Sequence, residues 1–188
     1  RVGHQERFVF DAMGLFGDLP RIKSLGARRM GVPGVRNLDV SVTLDLMIHD
    51  IDLALALAGA RPDRVEAELV SARGRLADHV RTTLHFPGGV TAKLESSRVA
   101  EARDRVMTLD YEGGAQVSVD FIERRFDNPA GLPLDPDFDT KPSAKDSLGA
   151  NVAAFVAGVR GESGGPGADG AAGLAAMEVA LEIDKACG

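Results

Sequence analysis

The chain has 188 residues, with 28 acids against 22 bases for a net charge of −6, and its 44% hydrophobic and 27% charged content is that of one globular domain. The acidic surplus argues against a nucleic-acid binder, and no apolar run is long enough to span a membrane. The single cysteine, Cys187, excludes an internal disulfide and a thiolate metal cluster, so a reducing, cytoplasmic setting is expected.

Residues 1–10, with Val2, Phe8, Val9 and Phe10, predict a strand. A short helix around 11–16 and a strand around 21–30 follow, punctuated by glycines and prolines. Residues 41–58 predict a helix, because Leu44, Met47, Ile48, Ile51, Leu55 and Ala58 recur at steps of three and four. Ser41 or Thr43 can cap its start, and Gly59 can end it. The period then changes to two. Val65, Ala67 and Leu69 alternate with polar residues, as do Val80, Thr82, Leu84 and Phe86. Pro87-Gly88-Gly89 followed by Val90, Ala92 and Leu94 predicts one hairpin. A second is predicted around Glu112-Gly113-Gly114, between Val106–Leu109 and Val117–Phe121. Residues 127–150, with four prolines and alternate acids at Asp135, Asp137 and Asp139, read as a solvated excursion; the Gly and distant Glu of a calcium loop are missing. Residues 148–159 predict an amphipathic helix, 161–170 a flexible glycine-rich loop, and 171–186 a last helix with Leu174, Met177, Ala180, Leu181 and Ile183 on its core side. Short turns between consecutive strands imply an α+β fold: a mainly antiparallel open sheet with helices on one face.

The helix over 44–58 carries the chemistry. At about 100° per residue, Asp45, His49 and Asp52 fall within an arc of roughly 60°, with Asp50 far around the helix. Carboxylates beside an imidazole fix which ring nitrogen holds its proton, and a positioned His is the usual general acid/base. Three readings stay open. Asp45 caps the helix while His49 and Asp52 are solvated; or the three residues, with a further ligand, hold zinc or iron; or His49 moves a proton.

The run from Leu44 to Asp52, with an Asp, three residues, a His, two residues and an Asp, resembles the substrate-domain helix of the glucose–fructose oxidoreductase/inositol dehydrogenase/rhizopine catabolism (Gfo/Idh/MocA) family. Residues Arg1–Phe8 resemble the family's strand leaving its nucleotide domain. The strands through His85–Ala92 and Ser96–Arg98, and the closing helices through Leu148, Phe155, Ala171 and Leu174, resemble the rest of the domain. The resemblance implies a C-terminal substrate-binding and oligomerisation domain over 1–188, of the glyceraldehyde-3-phosphate dehydrogenase-like type. It implies His49 as acid/base for a substrate hydroxyl, Asp45 as its helper, Asp52 as an orienting acid, and no metal. It implies an NAD- or NADP-dependent oxidoreductase acting on a sugar, an inositol or a nucleotide sugar. Met47-Ile48 ahead of His49-Asp50 points within the family to a UDP-N-acetylglucosamine-like substrate.

The chain departs from the full family pattern. It has no Gly-x-Gly-x-x-Gly after a strand and no Glu-Lys-Pro; Lys141-Pro142 follows Thr140. It also opens at Arg1 without Met, so it reads as the C-terminal half, with the Rossmann domain, the cofactor site and the catalytic Lys expected upstream. The half alone is expected to be inactive. Self-association through the open sheet face is expected. The alternative is a non-catalytic ligand-binding or oligomerisation module of the same fold. Arg36 and Asp39, just before the helix, and Arg98, near Arg103 and Arg105, are further candidates for substrate contact. His4 and His79 read as structural or exposed, and Cys187 as part of a frayed terminus.

Overall fold

A computed structural model of the chain describes residues 5–35, 37–73, 75–162 and 165–188. The alternating segments form one seven-stranded sheet. Its strands are β1 (Ile22–Met30), β2 (Arg64–Arg73), β3 (Leu76–His85), β4 (Thr91–Ser97), β5 (Asp104–Tyr111), β6 (Gln116–Asp120) and β7 (Arg125–Asp127). The order across the sheet is β2-β3-β4-β1-β5-β6-β7. β1 sits at the centre, parallel to β4 and antiparallel to β5, and every other pairing is antiparallel. The expected open, mainly antiparallel sheet is therefore the fold. Both predicted hairpins form, β3–β4 and β5–β6. Their turns place Gly88, Gly89, Gly113 and Gly114 at φ between 75° and 85°, where a side chain would be strained.

The period of two decides which face is buried. Leu25, Ala27, Leu84, Ala92, Leu94, Met107, Leu109, Val117 and Val119 point to one side and form the core with the helices. α2 (Ile48–Ala58) and α5 (Gly170–Ala186) cover that side. The other side is polar. A row across the strands reads Glu68, Arg81, Glu95, Arg28 in register, so charges alternate in sign.

Three expectations need correction. Over the described part of 1–10, the chain is not a strand but α1 (Glu6–Met13), closed by Gly14 at φ 91°. A short contiguous run such as Phe8-Val9-Phe10 suits a buried helix as well as a strand. Here α1 is wedged against α2, α3 (Pro142–Lys145) and α4 (Ser147–Val159), so it is buried on several sides. Residues 127–150 are not merely solvated: Phe138 is buried, and the Lys141 ammonium donates to the Ala12 carbonyl at 2.7 Å. α5 buries Ala176, Val179, Ala180 and Ile183, leaving Leu174, Met177 and Leu181 exposed. Small alanines let it approach α2 and β2 closely, and the bulky residues flank that seam. Only the described residues of 161–170 can be placed; there Ala168 is buried, and Asp169 caps α5 by accepting from the Ala172 amide at 2.8 Å.

Candidate active site

The helix predicted over 41–58 begins as a π-helical turn, Thr43–Met47, and continues as α2. Ser41 caps it, its Oγ accepting from the Leu44 amide at 3.2 Å and donating to Asp184 at 2.6 Å. A π turn advances each residue by less than an α turn, so Asp45 is not set on the stripe as a uniform helix would set it. The Asp45 carboxylate accepts from Asn37 Nδ2 at 2.6 Å and lines a cavity of about 580 Å³ with Asn37, Leu38, Leu46 and Arg98.

His49 and Asp52 turn towards α1 instead. His49 Nδ1 lies 3.1 Å from Glu6 Oε2, with the His49 side chain 26% exposed. Asp52, buried, accepts from Arg7 Nε and Nη2, both at 2.7 Å. Adjacent residues of α1 thus engage side chains one turn apart on α2. Asp50, on the other side of α2, is buried and takes two 2.9 Å hydrogen bonds from Arg29 of β1. Arg29 also donates to Glu6 Oε1 at 3.1 Å. The result is a buried chain of groups, Asp50–Arg29–Glu6–His49, that includes a partly exposed imidazole.

Electrostatics fix the charges in this chain. Burial alone would raise the Glu6 carboxyl. The His49 hydrogen bond and the Arg29 charge outweigh burial and hold it well below the ordinary carboxylate range. Burial alone would lower Arg29, but Asp50 and Glu6 push it up. Glu6 is therefore an anion that only accepts, and Arg29 a cation that only donates. Arg105, the cross-strand neighbour of Arg29, is lowered by burial and then by the Arg29 charge.

The remaining sequence candidates fall as follows. Arg98 is buried; its Nε donates to Asp78 at 2.6 Å, and its Nη1 to the Asn37 and Val40 carbonyls at 2.7 Å each. It braces the loop that enters the site helix, while Arg105 sits beside Arg29. Arg36 and His4 lie outside the described residues, and Asp39 is exposed. His79 pairs with Glu95 on the polar sheet face at 2.8 Å. Cys187 packs partly against the core, and burial and then Asp184 raise its thiol. Among the described residues, no group of three or more His, Cys, Asp or Glu is arranged to hold a metal, and no helix is long and apolar enough to cross a membrane.

Glu6 and Arg29 are not singled out from the sequence, and Asp50 is set aside as lying far around the helix. Arg29 had a signal: it follows Leu25 and Ala27 at the inward positions of a strand, where an unpaired charge is costly.

Comparisons with known proteins bear on the family and the fold. The profile of the GFO/IDH/MocA C-terminal domain matches residues 33–115. The chain is 33% identical over 139 residues to a UDP-N-acetylglucosamine 3-dehydrogenase of Acidithiobacillus ferrooxidans, covering 70% of this chain and 44% of that protein. A solved structure of that enzyme superposes with a TM-score of 0.81 at 28% identity, over 98% of this chain and 60% of that one. The WlbA dehydrogenase of Bordetella pertussis, solved in complex with NADH and UDP-GlcNAcA, superposes with a TM-score of 0.74 at 16% identity, over 98% and 59% of the two chains. At that identity it speaks for the fold alone. The chain therefore spans about half the length of the curated relative that it matches.

Proposed function

From a chain that belongs to the GFO/IDH/MocA family by its C-terminal domain, we propose the substrate half of an NAD(P)-dependent oxidoreductase acting on a sugar hydroxyl. A nucleotide sugar of the UDP-N-acetylglucosamine kind is the proposed substrate, supported by the similarity to the Acidithiobacillus ferrooxidans enzyme. The observation that carries the chemical reading is His49 itself: a partly exposed imidazole, anchored through Nδ1 by an ionised carboxylate that belongs to a buried ion chain.

In this reading, His49 takes the hydroxyl proton as the carbon loses hydride, and returns it in the reverse direction. Asp45, on the wall of the neighbouring cavity, hydrogen-bonds substrate hydroxyls. Asp52 holds α1 against α2 through Arg7, and Arg98 shapes the entrance loop. A nicotinamide, when bound, accepts the hydride. This chain has no dinucleotide fingerprint after a strand, so none of its residues is assigned to the cofactor. A Rossmann domain in the longer protein is proposed to supply that site, and the half alone is proposed to be inactive. We also propose that copies associate through the helix-free sheet face, where a ladder of alternating charges can meet its own copy across a twofold axis.

The test is an assay of the longer enzyme with UDP-N-acetylglucosamine, free N-acetylglucosamine and myo-inositol, following NADH and NADPH formation. Turnover of the nucleotide sugar, absent in the 188-residue chain alone, supports the reading. Turnover of none of them removes it.

A further inference from the structure

A neutral imidazole accepts a proton only at the ring nitrogen that lacks one, so a His base works in one tautomer and not the other. Asp45 and Asp52, its neighbours on the helix, are bonded to Asn37 and Arg7. Glu6, on a different helix, meets the ring at Nδ1. Its two oxygens are split between two partners. Oε1 lies 3.1 Å from Arg29 Nη1, and Oε2 lies 3.1 Å from His49 Nδ1. Asp50 grips the other edge of the Arg29 guanidinium, so Arg29 cannot turn away from Glu6 without breaking a buried pair.

We propose that Glu6 is a positioning residue that fixes His49 in the Nδ1–H tautomer, with Arg29 and Asp50 holding the Glu6 carboxylate in place. An ionised carboxylate has no proton to give, so the hydrogen in the Glu6–His49 contact belongs to Nδ1. The neutral ring then carries its lone pair on Nε2, the nitrogen that takes the substrate proton. This step rests on the acid/base reading of His49.

The split between the two oxygens makes the role testable with one isosteric change. In Glu6→Gln, Arg29 has only donors, so it retains the amide oxygen. The amide NH2 then faces His49 Nδ1 and donates to it. Nδ1 becomes the acceptor, and the ring proton moves to Nε2. The substitution does not loosen the tautomer; it inverts it.

The experiment is two-bond 1H–15N correlation of the 15N-histidine-labelled chain at alkaline pH. Signals from the four histidines are resolved, and that of His49 is identified by its loss in His49→Asn. The expected result is an Nδ1–H pattern for His49 in the wild type and an Nε2–H pattern in Glu6→Gln, with the other signals unmoved. In the longer enzyme, Glu6→Gln is expected to lose about 10²–10⁴-fold in kcat with KM little changed, since a base in the wrong tautomer binds but does not take the proton. An Nε2–H pattern in the wild type overturns the proposal without any variant. So does an unchanged pattern in a folded Glu6→Gln. Full activity in His49→Asn would instead remove the acid/base reading, and the catalytic consequence of Glu6 with it, while the spectra still decide what sets the tautomer.

Discussion

Arg29 and Asp50 meet through two parallel hydrogen bonds of 2.9 Å, each side chain only 4% exposed. Such a pair does not by itself stabilise a fold, because taking both charges out of water costs about as much as their attraction returns. Removing one partner is another matter. Asp50→Ala is expected to destabilise the chain by about 3–5 kcal/mol, because it leaves the buried Arg29 cation with Glu6 as its remaining carboxylate partner among the described residues. Urea unfolding measures this. A double change of Arg29→Met with Asp50→Leu should recover much of the loss.

The same chain of charges makes stability depend on pH. The ordinary value for Glu6 is 4.5. Burial opposes its ionised form, yet the His49 hydrogen bond and Arg29 bring the folded value lower. As pH falls, the unfolded chain therefore takes up this proton before the folded one does. The contribution of Glu6 is complete above about 4.5 and is lost as pH falls through the lower folded value. Unfolding midpoints in Glu6→Gln should fall less steeply below that pH than in the wild type.

Tyr111 gives an independent reading of burial. Its hydroxyl has no hydrogen-bond partner among the described residues, and burial pushes its pKa up to about 12. It is the single tyrosine, and the chain has no Trp, so phenolate absorbance reports this residue alone. Titration should show no ionisation near the ordinary value of 10.0. Tyr111→Phe removes a buried hydroxyl without a partner, and should raise stability by about 1 kcal/mol.

The helix-free sheet face offers charge rather than apolar surface. Arg81 lies 2.9 Å from Glu95, and Arg28 lies 3.1 Å from Asp104. Association through this face should therefore weaken with salt, since exposed pairs are screened within about 10 Å at 0.1 M. Light scattering across a salt series checks it. Arg28→Glu should give monomer at low salt, and a chain that is monomeric under all conditions would contradict the interface.

Much of the fold was legible because it rests on local patterns. Period-two segments around Pro87-Gly88-Gly89 and Glu112-Gly113-Gly114 specify both their strands and their pairing. The helix over 44–58 was legible from its apolar spacing, and His49 from being polar on it. The partners of His49 were not. Glu6 is 43 positions away, on a segment whose contiguous Phe8-Val9-Phe10 suits strand and helix alike. Uniform helical geometry also set Asp45, His49 and Asp52 on one stripe. The π turn over Thr43–Met47 and the arrival of Arg7 and Asn37 distribute them among separate partners. On α5, spacing alone did not tell the alanine seam from the larger residues beside it, because which face is inside depends on what packs there.

The measurement that bears most directly on the account is the rate of the longer enzyme carrying His49→Asn, with a nucleotide sugar and NAD(P). Asn keeps a polar group of similar reach but takes no proton at neutral pH. The account predicts a fall in kcat of about 10²–10⁴-fold with KM nearly unchanged, because proton transfer is lost while binding is kept. A variant that turns over at the wild-type rate would contradict it and leave His49 as a structural member of the Glu6–Arg29–Asp50 chain.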